Sequence, residues 1–508
     1  MNPCPLRLAC LAALVLPLAP MRGAEAPRLP EVPVLLTPPT PLRPTINGPK
    51  VYGARPGSPF LYRIPCTGER PLTFGADGLP PGLTLDPKTG IITGKTAAVG
   101  THRVMLRAQN ARGDDLRELR LVIGDRLALT PPMGWNSWYI HYNRVTEAIM
   151  RQAADEMVRS GMADFGYQYV NVDDCWTKKK GDPPYNDAAG AVLPNEKFPD
   201  MPGLARYIHE RGLKAGLYIS PGPWTCTGYA GAYGHEAADA RAFAAWGFDF
   251  LKYDWCTYGT VAGGKALPDL QKPYRLMWTE LAKVPRDIVF NLCQYGMGDV
   301  STWGGEVGNS WRTTGDLGAV RGSALPGFYQ VGLSNAQHWR NARPGAWNDP
   351  DYLLIGWVGD AYGMGPGLPT ALTPNEQYSY MSMWSLMASP LIFGGDMARL
   401  DAFTLNVLCN REVIDVDQDP LGHQGRIVRQ NATELVFVRD LEGGAKAVGL
   451  FNLTPTAAPV SVRWPELGVK GDQMVHDLWR QKDIGRCDDN FVAMVPRHGV
   501  VMVKLTPQ

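Results

Sequence analysis

The chain has 508 residues, 45% of which are hydrophobic, and its 50 Lys and Arg residues nearly balance its 49 Asp and Glu residues. This apolar fraction excludes wholesale disorder, and the length predicts about three domains. A net charge of +1 gives no long-range field that would bind nucleic acid or an anionic membrane.

The N-terminal segment, residues 1–26, has the pattern of an export signal. Arg7 precedes an apolar run over residues 8–18, and the small residues Ala24 and Ala26 follow at the spacing of a cleavage site. This run is too short to cross a bilayer, and no other stretch approaches about 18 uninterrupted apolar residues. We therefore predict an exported protein, periplasmic or extracellular, without a membrane span. The alternative for the segment is a buried helix.

The next part of the chain has the texture of a small β domain. Residues 27–50 are Pro-rich and predict an extended linker. Over residues 51–128, β-branched runs alternate with Gly/Pro turns, which predicts an immunoglobulin-like β-sandwich. The segments GLPPGL, residues 78–83, and GIITG, residues 90–94, resemble immunoglobulin-type modules attached to bacterial surface and secreted enzymes. That resemblance implies a spacer or docking role without chemistry.

Residues 129–410 alternate apolar strands with helical patterns. Eight strands are predicted, over residues 133–138, 167–174, 214–220, 248–256, 287–294, 310–316, 346–353 and 390–396. Because helix-length segments separate nearly all of them, the pattern predicts a central (β/α)8 TIM barrel. A doubly wound parallel sheet is the alternative. Polar residues end nearly every strand, which favours the barrel, because a barrel places its site at those ends.

Residues 411–508 alternate apolar and polar positions again, which predicts a C-terminal antiparallel β-sandwich with one solvated face. The predicted fold class is therefore multidomain, with a β-sandwich on either side of the barrel in the sequence. The oligomeric state stays open.

Metal binding fits the sequence poorly, and we predict no metal and no cofactor. The chain has 8 His residues, and none stands at the end of a predicted strand. It has no C-x-x-C pair, which argues against a thiolate zinc site. An oxygen-only Ca²⁺ or Mg²⁺ site is the alternative use of the strand-end carboxylates. Signal removal would leave an odd number of cysteines, so at least one is free or pairs between chains.

Carboxylates cluster at the ends of the predicted strands, and their pattern points to a carbohydrate. Asp173 and Asp174 follow the second strand, and paired carboxylates can accept hydrogen bonds from vicinal diols. Trp138 and Trp176 would supply an apolar floor for the C–H face of a sugar. Asp351, which follows the seventh strand, belongs to the same candidate site.

Cleavage of a glycosidic bond requires two carboxyl groups on opposite sides of the anomeric carbon. Asp254 stands two residues after Lys252 on one strand, hence on the same face, and a nearby cation keeps a carboxylate ionised. Asp254 is the predicted nucleophile, and Asp316, near the end of the sixth strand, is the predicted acid/base. We expect Arg312 to hold a substrate hydroxyl rather than Asp316. A carboxyl separation of about 5–5.5 Å would retain the anomeric configuration, and about 6.5–9.5 Å would invert it.

Six sequence blocks together resemble glycoside hydrolase family 27, in the melibiase/α-galactosidase clan. The blocks are TPPMGWNSW, VDDCW, GLYISPG, FLKYDWC, GNSWRTTGD and WNDPDYLLIG. The resemblance covers about residue 129 to the C-terminus and implies a retaining double displacement, with Asp254 as nucleophile and Asp316 as acid/base. It also implies the galactose ligands: Asp173 and Asp174 at the 6- and 4-hydroxyls, Lys252 at the 3/4-hydroxyl, Arg312 at the 2-hydroxyl, and Trp138, Tyr218 and Asp351 as further lining residues.

The sequence departs from the family pattern in three places. The family's C-E-W block reads Cys293-Gln294-Tyr295 here, so Gln294 is the candidate 2-hydroxyl ligand in place of Glu. Cys175 and Cys293 lack the family's usual partner cysteines. The resemblance therefore implies one disulfide, Cys226–Cys256, and leaves the pairing of Cys66, Cys409 and Cys487 open.

We predict an exported, retaining exo-α-galactosidase whose partner is a carbohydrate substrate. Two alternatives remain at this stage. The same mechanism could act on a β-L-arabinopyranoside, an isomaltodextran or an α-N-acetylgalactosaminide, although the presence of Asp173 favours a sugar with a 6-hydroxyl. A non-catalytic carbohydrate-binding protein is the other alternative, but it would require a lost carboxylate, and both Asp254 and Asp316 are present.

Overall fold

The computed structural model describes residues 31–317, 325–359 and 365–508, so the predicted signal peptide over residues 1–26 lies outside the described residues. Residues 33–508 form one compact unit. In the described part of the chain, no helix is long and apolar enough to cross a bilayer.

The first β region is a sandwich of the predicted immunoglobulin-like type. Its strands are Thr45–Ile46, Val51–Ala54, Phe60–Arg63, Cys66–Thr67, Thr73–Asp77, Leu83–Leu85, Ile91–Gly94, Gly100–Asn110 and Gly113–Ile123. They form a four-stranded, a three-stranded and a two-stranded sheet. Along Gly100–Asn110, Val104 and Leu106 are buried while Met105 and Arg107 are exposed, which is the period of a strand with one covered face.

Eight parallel strands form one sheet in chain order, which confirms the barrel and excludes the doubly wound alternative. They are Met133–Asn136, Tyr169–Asn171, Lys214–Ile219, Phe250–Asp254, Val289–Cys293, Ser310–Arg312, Trp347–Asp349 and Leu391–Phe393. The first strand pairs with the eighth. The sheet closes beside the seventh strand through Leu353, whose N–H donates to the Ile392 carbonyl (2.7 Å) and whose carbonyl accepts from the Gly394 N–H (3.0 Å).

The helices of this region lie between and after the strands. They are Trp138–His141, Glu147–Arg159, Met201–His209, Glu236–Trp246, Leu267–Lys283, Gly327–Ala336, Pro374–Leu386, Ala402–Leu408 and Arg411–Asp417. Pro374–Leu386 begins at a capping box, in which the Thr373 hydroxyl accepts from the Glu376 N–H (3.4 Å) and Glu376 accepts from the Thr373 N–H (2.8 Å). That helix lies between the barrel and the C-terminal sheet. Its residues 376–386 are all buried, so it has no solvent-exposed polar face.

The barrel strands end earlier than predicted, because side chains take the backbone groups that would extend the ladder. After Asn171, the Asp173 N–H donates to the Ser137 hydroxyl (2.9 Å) and the Asp174 N–H donates to Asp173 (2.9 Å). The Cys175 N–H then donates to Asp174 (2.6 Å). The chemistry-bearing residues therefore lie in tight turns beyond the strands, which leaves their side chains at the mouth of the barrel.

The C-terminal region is an antiparallel β-sandwich, as predicted. Its strands are Arg426–Gln430, Glu434–Asp440, Lys446–Asn452, Ala458–Arg463, Gln473–Asp477, Lys482–Cys487, Asn490–Val495 and Val500–Pro507, with the short helix Trp464–Leu467. Six of them form one sheet, and Ala458–Arg463 pairs with Asn490–Val495. The predicted domain boundaries at residues 51, 129 and 411 stay predictions.

The N-terminal sandwich packs against the amino-terminal ends of the barrel strands, away from the strand ends that carry the carboxylates. Tyr52 shares a small cavity there with Tyr169 and Lys214, which begin or precede barrel strands. Arg55 forms an ion pair with Asp287 (2.8 Å), two residues before the fifth barrel strand.

Candidate active site

A cavity of about 460 Å³ lies at the carboxyl ends of the barrel strands. Its lining combines carboxylates, one ammonium group and aromatic rings with a cysteine and a threonine. The lining residues are Trp138, Tyr142, Asp173, Tyr218, Cys226, Thr227, Lys252, Asp254, Tyr295 and Asp316. Six of the ten predicted binding or catalytic residues are in this lining, namely Trp138, Asp173, Tyr218, Lys252, Asp254 and Asp316. Asp174, Gln294, Arg312 and Asp351 lie around it.

Asp254 ends the fourth strand with its side chain almost fully buried. Its Oδ1 accepts a hydrogen bond from the Tyr295 hydroxyl (2.5 Å), and its Oδ2 accepts one from the Tyr218 hydroxyl (3.2 Å). Burial raises the pKa of Asp254 to about 6, and the negative charges of Asp316 and Asp173 add to the rise, whereas Lys252 and the Tyr295 hydrogen bond oppose it.

Lys252 forms its ion pair with Asp173 and not with Asp254. Its Nζ donates to Asp173 Oδ2 (2.8 Å), which also accepts from the Asn136 amide (2.9 Å) and the Tyr352 hydroxyl (3.4 Å). The cation expected beside Asp254 is thus paired with Asp173, and its charge still opposes the rise in the pKa of Asp254. Lys252 reaches across the barrel to the second-strand turn, so it acts on Asp254 only through space.

Asp174 is held by the loop that follows the third strand. Its Oδ2 accepts from the Thr227 N–H (3.1 Å) and from the Thr227 hydroxyl (2.7 Å). Burial raises the pKa of Asp174 to about 6, and hydrogen bonds from Thr225 and Thr227 oppose that rise. Thr227, rather than Asp174, lines the cavity.

Arg312 joins the two carboxylates of the sixth and seventh strand ends. Its guanidinium lies 3.2 Å from Asp316 and 3.2 Å from Asp351. The expectation that Arg312 holds a substrate hydroxyl rather than Asp316 is corrected by the contact between its guanidinium and Asp316. The turn between Arg312 and Asp316 folds back on the guanidinium. The guanidinium donates to the carbonyls of Thr314 (3.3 Å) and Gly315 (2.8 Å) in that turn.

Asp351 supports the segment that carries Asp316. Its Oδ2 accepts from the Tyr139 hydroxyl (2.5 Å) and from the Leu317 N–H (2.8 Å). The carboxylate is fully buried, and burial raises the pKa of Asp351 to about 6 despite the opposing charge of Arg312. Asp316 itself keeps 26% of its side chain exposed, so it is the more accessible of the two predicted catalytic carboxyls.

The aromatic residues divide into lining and core. Trp138 lies in the cavity wall with its ring centroid 4.9 Å from that of Tyr142. Trp176, which was expected beside it, is 1% exposed and lies in the core against Phe243 and Trp246. The Trp176 indole N–H donates to the Tyr218 carbonyl, so it braces the third strand instead of forming a sugar-binding floor.

Cys226 and Cys256 form a disulfide that joins the loops after the third and fourth strands, with their Cα atoms 4.7 Å apart. The other described cysteines, Cys66, Cys175, Cys293, Cys409 and Cys487, are free thiols. In the described part of the chain, Cys226, Asp254 and Cys256 bring possible metal-ligand atoms within 4.8 Å of one another. Two of those atoms are disulfide sulfurs, which are not thiolate ligands.

Tyr295, and not the predicted Gln294, lines the cavity at the end of the fifth strand. The Gln294 side chain is fully buried outside the cavity lining, and its amide has no hydrogen-bond partner in the described structure. Tyr295, which was not among the predicted site residues, lines the cavity and donates to Asp254. Thr227 was missed as well, because a loop threonine carries no signal in a single sequence.

The chain matches models of three known families. The model described as alpha galactosidase A matches residues 130–419, and that of the alpha galactosidase C-terminal β-sandwich domain matches residues 433–505. An Ig domain model matches residues 43–120. The three matches correspond to the barrel, the C-terminal sandwich and the N-terminal sandwich of the structure.

Named relatives agree with these models. Alpha-galactosidase 2 of Arabidopsis thaliana is 36% identical over 392 residues, which cover 76% of this chain and 92% of the relative. A candidate α-galactosidase/melibiase from Bacteroides fragilis has a solved structure with a TM-score of 0.84 and 37% identity, covering 91% of this chain and 98% of that one. A family 27 β-L-arabinopyranosidase from Geobacillus stearothermophilus has a TM-score of 0.66 and 27% identity, covering 75% and 97%.

Proposed function

The chain belongs to glycoside hydrolase family 27, the α-galactosidase family, and from this premise we propose that it removes terminal α-linked galactose with retention of configuration. The observation that carries the proposal is that Asp254 and Asp316 line one cavity together with the Asp173–Lys252 ion pair. Two carboxyl groups can then flank an anomeric carbon while a third carboxylate and an ammonium group hold the sugar hydroxyls.

In the first step, a carboxylate oxygen of Asp254 forms a bond to the anomeric carbon as the bond to the aglycone oxygen breaks. Asp316 gives its proton to the departing oxygen. Asp254 is suited to attack because it is buried, so little solvent must leave it, and Tyr218 and Tyr295 fix its orientation. Asp316 is suited to proton exchange because it is partly exposed at the cavity.

In the second step, water attacks the anomeric carbon, and Asp316, now a carboxylate, accepts its proton. The bond between the sugar and Asp254 breaks, and its electron pair returns to the carboxylate. Both carboxyls thereby regain their starting states. Arg312, 3.2 Å from Asp316, stabilises the charge that Asp316 carries between the two steps.

Galactose binding is assigned to the second-strand turn and the first-strand helix. Asp173 presents a carboxylate already held by Lys252 and Asn136, so its orientation is fixed before the sugar arrives. Trp138 offers a ring face to the C–H side of the sugar. Asp173 and Lys252 use their remaining hydrogen-bonding positions for the sugar hydroxyls.

A panel of p-nitrophenyl glycosides that differ at C2 and C6 tests the substrate. The α-galactoside should give the highest kcat/KM, because Asp173 has a 6-hydroxyl to bind in that sugar. Faster turnover of the β-L-arabinopyranoside, which lacks the 6-hydroxymethyl group, would contradict the assignment to galactose. Faster turnover of the α-N-acetylgalactosaminide would contradict it as well.

Two variants test the catalytic roles. Asp254→Ala should abolish turnover of the aryl α-galactoside without loss of the fold, and an undiminished rate would overturn the nucleophile assignment. Asp316→Ala should slow substrates with poor leaving groups most, and azide should restore the rate of substrates with good ones. An equal loss on all substrates would count against the acid role.

We also propose that the chain is exported. The proposal rests on the pattern of residues 1–26, and the Cys226–Cys256 disulfide suits an oxidising compartment. N-terminal sequencing of protein from the periplasm or medium should find a mature chain that starts at Pro27. Retention of Met1 in a cytoplasmic fraction would contradict export.

A further inference from the structure

Each oxygen of the Asp254 carboxylate accepts a hydrogen bond from a tyrosine. The Tyr295 contact, at 2.5 Å, has the length of a charge-assisted O–H···O⁻ bond, and the Tyr218 contact is longer, at 3.2 Å. Burial, followed by the charge of Asp254, raises the pKa of Tyr295. The Tyr295 hydroxyl therefore keeps its proton and remains a donor.

Backbone geometry holds Tyr295 in this position. Tyr295 has a φ of +62°, in the left-handed region that non-glycine residues seldom adopt. The next residue, Gly296, has a φ of +86°, and a Cβ placed on it would lie 2.4 Å from the Thr313 carbonyl oxygen. The turn after the fifth strand is thus pressed against the sixth strand end, which turns the phenol toward the nucleophile.

The disulfide borders the same hydroxyl. Cys226 Sγ lies 3.6 Å from the Tyr295 oxygen, and Cys256 Sγ lies 3.1 Å from the Tyr218 oxygen. The two hydroxyls and the Asp254 carboxylate therefore lie together against the Cys226–Cys256 bond, which limits the space into which either hydroxyl could turn.

We propose that Tyr295 is a positioning residue for the nucleophile: its hydroxyl holds Asp254 in the ionised, attack-ready orientation and receives the carboxylate again when the sugar is released. This inference rests on the proposed retaining mechanism. The hydrogen bond is strongest whenever Asp254 carries its full charge, so it favours the free enzyme and the transition state of sugar release over the covalent intermediate.

Other charged and titratable groups also face Asp254, and they influence its ionisation together with the Tyr295 hydroxyl. They are Lys252 on its own strand, Asp173 after the second strand, Tyr218 on the third, Cys293 on the fifth and Asp316 after the sixth. All of them remain when the Tyr295 hydroxyl is removed. A change confined to that hydroxyl therefore isolates its contribution to the ionisation of Asp254.

Tyr295→Phe keeps the ring and removes the donor. Its kcat/KM, measured across the pH range in which the wild type is stable, should lose activity on the acid side at a pH about one unit higher than in the wild type. At higher pH, where Asp254 is ionised in both proteins, any remaining loss in kcat/KM measures the contribution of Tyr295 to orientation rather than to ionisation. Tyr233→Phe is the matched control, since it removes an exposed phenol hydroxyl, and its profile should coincide with the wild type.

Gly296→Ala provides a second variant that leaves the phenol in place. The added Cβ must move the turn away from Thr313, so this variant should shift the acid limb in the same direction. An unshifted acid limb in the Tyr295→Phe profile, with or without a loss of activity at high pH, would overturn the inference. An unshifted Gly296→Ala profile would overturn the account of how Tyr295 is held.

The assay uses whichever aryl glycoside of the panel the wild type hydrolyses fastest. Failure of the wild type on the α-galactoside would contradict the proposed function. An active wild type whose acid limb is the same as that of Tyr295→Phe would contradict only the role of Tyr295. The two failures are therefore distinguishable.

Discussion

In the proposed mechanism, the charge on Asp254 decides whether the site can act. The surrounding residues shift the pKa of Asp254 in opposite directions. Burial and the neighbouring carboxylates favour the neutral acid, while Lys252 and the Tyr295 hydroxyl favour the anion. A nucleophile must be ionised in the free enzyme. The net result, a pKa raised to about 6, leaves most of the enzyme competent at neutral pH.

The pH dependence of kcat/KM tests this balance, because it reports the ionisation of the free enzyme. Since the pKa of Asp254 is raised, activity should be present above about pH 6 and fall as the pH drops through that value. The fall should approach about tenfold per pH unit. An acid limb near the ordinary aspartate value of about 3.9 would contradict the effect of burial.

The Lys252–Asp173 pair carries a second prediction. Both side chains are buried, with exposed fractions of 7% and 2%. Lys252→Met should destabilise the fold by about 3–5 kcal/mol, because it leaves the Asp173 charge buried and without its ammonium partner. Denaturant unfolding measures the loss.

The matched control is the double variant Lys252→Met/Asp173→Asn, which removes both charges. It should be more stable than Lys252→Met alone, giving a clear coupling energy in a double-mutant cycle. The cycle is completed by Asp173→Asn, and a double-variant loss equal to the sum of the two single-variant losses would show that the pair is not coupled.

At the residue scale, the sequence predicted which residue types surround the cavity better than it predicted their partners. Asp173, Lys252 and Asp254 were correctly placed at the barrel mouth, because strand alternation fixes the face of a side chain. The partner of Lys252 could not be deduced, because it depends on how far neighbouring strand ends are offset. Tyr295 was missed because a left-handed turn, and not strand alternation, directs its side chain.

Among the elements, the turn after the sixth strand carries Asp316, on which proton transfer depends in the proposed mechanism. Asp351 binds this turn through the Leu317 N–H and through Arg312. Asp351 in turn follows the seventh strand with a φ of +86°. The position of Asp316 is thus set by the end of the seventh strand together with Arg312 at the end of its own strand.

Asp351→Ala should therefore impair proton donation more than nucleophilic attack. We expect a loss of about 10²-fold in kcat/KM for substrates with poor leaving groups, and a smaller loss for good ones, since these need less proton transfer. A series of aryl galactosides with leaving groups of graded acidity measures this. A loss that does not depend on the leaving group would assign Asp351 to sugar binding instead.

The number, order and type of the barrel strands were predictable, and their ends were not. Apolar residues continue past the strands in the second and seventh segments, where Val172 and Leu353 are fully buried. Hydrophobic patterning cannot distinguish a buried turn from a buried strand, so the predicted strands are longer than the observed ones. Closure of the barrel through Leu353 could not be predicted from hydrophobic periodicity either, because it involves a single residue.

For the whole molecule, the N-terminal sandwich is part of the compact body formed by residues 33–508. Beyond the Arg55–Asp287 pair, Arg117 contacts Asp415 (3.1 Å) and Arg120 contacts Glu442 (2.7 Å). The sandwich therefore meets the barrel and the C-terminal region together. The sequence, read as a linker followed by a spacer module, gave no sign of these contacts, because charged pairs between domains leave no periodic pattern.

These interfaces predict cooperative unfolding. Calorimetry on the mature chain should show one main transition, because loss of the sandwich would expose apolar residues at the amino-terminal end of the barrel, including Tyr169, Phe250 and Val289. A separate transition for the sandwich at clearly lower temperature would contradict this. It would support the spacer role that the sequence suggests.

Covalent trapping tests the central claim most directly. A fluorinated α-galactosyl fluoride, which slows sugar release, should leave one sugar bound per chain, and mass spectrometry of the digested protein should locate it on the peptide that contains Asp254. Label on the peptide with Asp316, or complete hydrolysis to a product of inverted configuration with no labelled chain, would contradict the account.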